Sequence, residues 1–455
     1  MFSEGMNNHQ PCPLSHKCAY VVSVNMGYGH ERAAYGLKEI ANGGVITAND
    51  YSGIPHRDKK LWGSSRKGYE FVSRLKPIPL VGDMAFAIMD KIQEIPSFYP
   101  RRDLSAPTYQ VAQTYYMIEK LGLCRHLIEK LSKKPLPLVC TFFIPAFAAE
   151  VYDYPGDIYV VLCDADISRA WVARDPKKSR IKYFAPNGRV VERLKLYGVR
   201  EENIYHTGFP LPKEAIGDLA GTVTRRDTMT RICNLDPNGI FLKRYQRVIE
   251  SELGKDTCAV KPDHPLTVMF AVGGAGAQKQ LAIDILSSLK KRLIRNGLRF
   301  RLMAGTRKES AHDFMNAARQ LKIGHLVGKK LFIDYYPDRP SYFREFTKLL
   351  RKTDVLWTKP SELSFYCGMG LPILMAPTVG SQEDFNRTWL MYIGAGIDQG
   401  DPKSTDEWLY DWINSGGIAR AAWNGYMEAP QHGSYRIEGI ITGTRMDVET
   451  LPMIV

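Results

Sequence analysis

The feature that most constrains this chain is a pattern that begins twice. "YVVSVNMGYGHERAA", starting at Tyr20, and "LTVMFAVGGAGAQKQLA", starting at Leu266, each run from an apolar, β-branched stretch through a glycine-bearing turn into a helix-like segment. They stand about half the chain apart. A parallel partner strand is reached only through a crossover, so strand, tight turn and helix in succession are how a doubly wound parallel sheet opens. Apolar runs of strand length recur at 19–24, 138–143, 157–162, 203–206, 266–272, 300–303, 355–358 and 373–375. The predicted fold class is α/β, with two Rossmann-like doubly wound domains facing across a cleft and a ligand at the carboxyl ends of the strands. At 455 residues the chain exceeds a single ordinary core and suits two domains.

The boundary falls near Phe209-Pro-Leu-Pro212. This gives an N-terminal domain over residues 1–213, a C-terminal domain over 214–430 and a tail, 431–455, free to pack back on the first domain. Two segments read as additions. Residues 56–134 are basic and partly helical, with Val81, Met84, Ile88 and Ile92 at helical spacing beside Lys59, Lys60, Arg66, Lys67, Arg101 and Arg102. That apolar stripe either packs on its own core or faces a membrane or acceptor. Residues 221–255 read as helical and charged, ahead of the second sheet.

Composition narrows the class without choosing a function. With 44% hydrophobic and 24% charged residues the chain reads as soluble and globular. Its uncharged stretch 135–149 holds three prolines and falls short of the roughly 20 residues a spanning helix needs. The start of the sequence lacks a basic segment leading into an apolar one, so a cytoplasmic location is expected. The eight cysteines are scattered, without C-x-x-C or paired histidine spacing, and read as reduced, mostly buried thiols with no metal site. A net charge of +13 leaves nucleic acid, anionic lipid and phosphorylated substrates all open.

A glycine turn that opens a helix lets backbone N–H groups approach an oxygen anion, and the helix N-terminus adds partial positive charge. Either turn can therefore hold a phosphate. The full dinucleotide fingerprint fails at Gly27–Arg32, and a P-loop lysine–serine pair is missing. His30, at the mouth of the first turn, carries a group suited to proton transfer near neutral pH, or simply caps backbone. In "VLWTKPSELSFYCGMGLPILMAPTVGSQEDFNRTWL", residues 355–390, Lys359 can neutralise a phosphate. Glu362, Gln382, Glu383 and Asn386 offer groups for sugar or ribose hydroxyls, or the segment is only a helix start and a turn. Asp164-Ala165-Asp166 follows a strand, as does the cation-holding D-x-D of single-domain GT-A glycosyltransferases, although Asp164 can equally cap its turn.

Taken in order, these residues resemble glycosyltransferases of the two-domain GT-B fold. The branch is the one containing plant-type monogalactosyldiacylglycerol synthases, bacterial diacylglycerol glucosyltransferases and the N-acetylglucosaminyltransferase that makes lipid II. The resemblance rests on Gly27-Tyr28-Gly29-His30, Asp164, Trp171, "YFAPN" at 183–187 and "YGVREENIYHTGFP" at 197–210. In the second half it rests on Gly273-Gly274-Ala275-Gly276, Thr358-Lys359-Pro360, Gly370-Leu371-Pro372 and Gln382-Glu383 with Asn386. Two departures stand out. The family's ribose-binding glutamate, seven residues before the proline of G-x-P, is Phe365 here, with Glu362 a helical turn earlier as the nearest substitute, and the small residue expected after T-K-P is replaced by Ser361-Glu362.

The resemblance implies a nucleotide-sugar co-substrate, a UDP-sugar first among the candidates, and no required cofactor or metal. It implies a donor site at Gly273, Gly274, Gly276, Ala277, Lys359, Glu362, Gln382, Glu383 and Asn386, and an acceptor side at Gly27, Tyr28, Gly29 and Trp171. His30 or Asp164 would take the acceptor's proton as the sugar transfers with inversion. Membrane-lipid members of the family dock on anionic bilayers through a basic, apolar part of the N-terminal domain. Residues 56–134 share that composition, so a peripheral membrane surface and a lipid acceptor are one expectation, with a soluble acceptor the other. Two alternatives remain open, a UDP-sugar 2-epimerase of the same fold and a non-enzymatic nucleic-acid-binding protein. Against the latter, lysines and arginines are dispersed and no binding motif is present, so no nucleic-acid partner is expected.

Overall fold

The structure is a computed structural model that describes residues 18–63, 94–254, 262–271, 279–295, 297–378, 380–444 and 451. Two six-stranded, wholly parallel sheets are formed. The first contains β1 (Tyr20–Ser23), β2 (Ile46–Thr47), β3 (Leu138–Cys140), β4 (Ile158–Val161), β5 (Lys182–Ala185) and β6 (Ile204–His206), in the order β2-β1-β3-β4-β5-β6. The second contains β7 (Thr267–Ala271), β8 (Arg299–Gly305), β9 (Leu331–Tyr335), β10 (Val355–Thr358), β11 (Ile373–Met375) and β12 (Gly396–Asp398), in the order β12-β11-β10-β7-β8-β9. Strand order reverses beside β1 and β3 in the first sheet, and beside β7 and β10 in the second. In an open parallel sheet a ligand crevice forms at such a point, outside the carboxyl ends of the strands. The chain is therefore two Rossmann-like doubly wound domains.

Alternation along each strand divides the core into three layers. Val22, Leu138, Cys140, Ile158 and Val160 face an N-terminal core completed by the helices Tyr109–Glu119, Arg125–Ser132 and Phe143–Val151. Val111, Tyr115, Ile118, Leu127, Ile128 and Leu131 are the apolar faces of that crossover. The second part of the basic segment 56–134 thus belongs to the domain's own packing. Its stripe at Val81, Met84, Ile88 and Ile92 lies outside the described residues, as do Arg66 and Lys67. Val268, Phe270, Phe300, Leu302, Val355 and Trp357 face a C-terminal core that includes the helices Thr222–Leu235 and Ile240–Leu253.

The third layer lies between the domains. Val21, Val139, Val161 and Phe184 from the first sheet join Met269, Met303, Leu356 and Met375 from the second in one continuous cluster, through Ala33, Phe209, Leu211 and Phe365. Both domains therefore contribute apolar side chains, from strands and from their own helices, to one cluster that crosses the boundary. The helix Gly433–Thr442 returns to the boundary segment. Ser434 donates to the Leu211 carbonyl, Arg436 to that of Thr207 at 3.2 Å and Tyr435 to that of Gly217 at 2.6 Å, while Lys213 pairs with Glu438. Cys18, Cys124, Cys140, Cys163 and Cys367 are buried and Cys233 less so, and these six are not joined in disulfides. Among the described residues no helix is long and apolar enough to cross a membrane.

Candidate functional site

The first glycine turn stands at the carboxyl end of β1, beside the reversal of strand order. Gly27, at φ 132°, adopts a backbone that suits only glycine, and α1 (Tyr28–Gly36) begins immediately after it. Gly29 is needed for a different reason. A Cβ there would come within 3.1 Å of the Glu362 carboxylate, so the helix approaches the C-terminal domain as closely as its backbone allows.

His30 turns instead toward its own domain. Its ring packs 4.9 Å from Phe142, at the end of β3, and 5.7 Å from Trp171. Burial pushes its pKa down to about 4, against the opposing pull of the Glu362 charge and the Thr141 backbone. The imidazole is therefore neutral near pH 7. Its Nδ1 is buried and meets no hydrogen-bond partner among the described residues.

Asp164 and its neighbours leave β4 as a loop pinned from both domains. From below, Asn187 caps the helix Gly188–Leu196 through Val190 N–H at 2.9 Å and donates to the Ala165 carbonyl at 3.1 Å. Asp166 accepts two hydrogen bonds from Arg193, both at 2.8 Å, and one from Arg189 at 2.9 Å. With both oxygens of Asp166 committed to arginines, the Asp164-Ala165-Asp166 triplet is a loop anchor. Among the described residues no group of three or more His, Cys, Asp or Glu side chains stands together as a metal site.

From across the seam, buried Asn386 accepts from Ala165 N–H at 2.7 Å and donates to the Asp164 carboxylate at 3.0 Å. Burial, together with the charges of Glu362 and Glu383, raises the Asp164 pKa to about 6 although the Asn386 hydrogen bond opposes this. Asn386 thus ties the end of β4 to the helix Ser381–Tyr392 of the other domain.

On the C-terminal side, Lys359 follows β10 at the second strand-order reversal and pairs with Glu383. Gln382 lies half-buried in the first turn of the same helix as Glu383. Glu362 opens a short 3-10 helix, Glu362–Met369, and its carboxylate pairs across the seam with buried Arg32. Phe365 stacks on Phe209 at 5.1 Å and tilts against Trp389 at 5.0 Å, which makes that position part of the interdomain packing. Gly273, Gly274, Gly276 and Ala277 lie outside the described residues.

The structure therefore brings Asp164, Glu362 and Asn386 together in the seam, with Lys359, Gln382 and Glu383 adjoining, and sets His30 against Trp171 on the N-terminal side. Other residues take part in or beside this arrangement. Phe142 walls His30, and Asn187 anchors the Asp164 loop. Glu31 pairs with Arg339, Arg32 with Glu362 and Tyr342, and Tyr28 shares a 2.9 Å hydrogen bond with Thr306. Asn187, in the "YFAPN" run, and Tyr28, in the first glycine turn, are legible in the sequence, whereas Phe142, Glu31 and Arg32 meet partners 112 to 330 positions away that only the folded chain unites.

No family model and no curated protein sequence matches the chain. Among solved structures it is similar to Staphylococcus aureus MnaA with UDP, at 11% identity and TM-score 0.47 over 95% of this chain and 98% of that one. A Neisseria meningitidis UDP-GlcNAc 2-epimerase bound to UDP-GlcNAc aligns at 11% identity and TM-score 0.44, over 79% and 88%. Acinetobacter baumannii MurG aligns at 12% identity and TM-score 0.43, over 71% and 78%.

Proposed function

We propose that this chain is a glycosyltransferase that moves a sugar from a nucleotide-sugar, a UDP-sugar in the first instance, to an acceptor hydroxyl held against the N-terminal domain. The observation that carries this reading is the meeting of the two strand-order reversals. An imidazole whose Nδ1 meets no hydrogen-bond partner among the described residues, walled by Phe142 and Trp171, stands at one, and Lys359 stands at the other.

In this reading the acceptor oxygen forms a bond to the anomeric carbon while the bond from that carbon to the terminal phosphate oxygen breaks, with inversion. The nucleotide diphosphate leaves with the bonding pair, and the acceptor's proton passes to His30. Lys359, exchanging Glu383 for the diphosphate, offsets the charge that develops on the leaving group. Asp164 stays bound to Asn386 and holds the two domains in register around the reacting atoms. The acceptor, a membrane-lipid headgroup or a soluble hydroxyl compound, is read by supplying each in turn.

Thermal unfolding with a panel of UDP-, GDP- and dTDP-sugars tests the donor, since a ligand that binds only the folded chain raises its apparent stability. The expected result is a shift with one nucleotide that Lys359→Ala abolishes, followed by acceptor-dependent release of that nucleoside diphosphate. No shift with any donor refutes the proposal. Conversion of the nucleotide-sugar without acceptor replaces it with the epimerase reading.

A further inference from the structure

Helix geometry divides the start of α1 between the domains. At 3.6 residues per turn, positions 28, 31 and 32 share one side, and position 30 lies nearly opposite. Tyr28 meets Thr306, Glu31 meets Arg339 and Arg32 meets Glu362 and Tyr342, all in the C-terminal domain. His30 meets Phe142 and Trp171 in the N-terminal domain.

Arg32 is the centre of this arrangement. Its guanidinium lies 4.8 Å from the Phe346 ring centroid, 5.3 Å from Tyr28, 5.4 Å from Tyr342 and 5.8 Å from Phe343. A planar, weakly hydrated cation suits such a cage, where a lysine would lose its hydration without gaining the stacking. A buried ion pair repays its desolvation poorly as a source of stability, whereas it fixes geometry well.

We propose that Arg32 is a positioning residue for His30: by docking α1 into the C-terminal domain it keeps the imidazole seated between Phe142 and Trp171, so that the base is in place only when the two domains are engaged. The catalytic half of this inference rests on the role given to His30 above, and the positional half does not. Glu362 links the two, since its charge acts on Arg32, His30 and Asp164 alike.

The test is an NMR titration of the His30 ring, assigned with His30→Gln, in the unliganded protein and in Arg32→Met. With α1 undocked the ring gains water and faces an unneutralised Glu362. Both changes act in one direction, so its midpoint rises from about 4 toward 6.5. Turnover falls at least about tenfold with nucleotide affinity kept within about twofold, the split expected when a residue acts through a catalytic group. If Arg32→Met fails to fold, Tyr342→Phe, which removes only a hydroxyl that Arg32 binds, carries the same measurement with a smaller shift in the same direction. An unchanged midpoint in a folded variant overturns the proposal. Because the titration needs no substrate, a wild-type protein that transfers no sugar refutes the proposed function and leaves this measurement standing.

Discussion

Asp164→Asn isolates the cost of keeping a charged carboxylate in the seam. In the folded chain the carboxyl titrates near pH 6, against an ordinary value of 3.8. Such a group binds protons more tightly folded than unfolded, so the stability it allows is fully present below about pH 4 and is lost as pH rises through about 6. The full gap is worth roughly 3 kcal/mol at about 1.4 kcal/mol per pH unit. Linkage arithmetic puts the loss at about 1 kcal/mol at pH 4.5 and about 3 kcal/mol at pH 8. An asparagine keeps an oxygen for the Asn386 amide and removes the charge. The variant should therefore gain about 2 kcal/mol over wild type between pH 4.5 and pH 8. Urea unfolding of both proteins across that range reads the difference directly. Parallel stability curves, or a gain that shrinks as pH rises, would show that burial does not control this carboxylate.

Replacing His30 with alanine should lower turnover at least about a hundredfold, the usual scale for losing general acid–base help, with nucleotide affinity preserved by calorimetry. Restoring the resembled family's glutamate by Phe365→Glu should fail to improve nucleotide binding. It would bury a carboxyl where Phe209 and Trp389 now pack and cost about 3–5 kcal/mol of stability in a denaturant titration. Gly36→Ala drives a Cβ to 1.9 Å from the Pro210 carbonyl, so α1 must move from the boundary segment. Thermal unfolding should show a loss of at least about 1–3 kcal/mol, as for overpacked cores, and an unaltered melting temperature would mean that this contact yields freely.

The repeated strand, turn and helix made the architecture readable, because parallel strands buried on both faces advertise themselves as apolar runs. All eight runs became strands, including the pairs flanking each reversal of order. The four strands that went unread, β2, β5, β9 and β12, are short, or carry Lys182, Asp334 and Asp398, which breaks the apolar run. The seam was legible in part. His30 announces itself by following a glycine turn, and Asn386 by its order after Gln382 and Glu383. Arg32 reads as an ordinary helical arginine, since nothing in its neighbourhood tells of Glu362, 330 positions later. Glu362 likewise reads as a free carboxylate suited to a hydroxyl, while its position in the fold commits it to a cation.

The apolar layer shared by both sheets bears on how such a chain can be taken apart or recombined. A cut at the boundary near residue 212 would strip Phe209 of Phe365 and Tyr366, and Arg32 of Glu362, Tyr342 and Phe346. Neither fragment alone supplies those partners. Exchange of one half for that of a related chain succeeds only when the seam residues travel as a matched set, so specificity on the donor side is not freely swappable with specificity on the acceptor side. What looks like a modular pair of domains is, for inheritance and for engineering, a single unit joined along its middle.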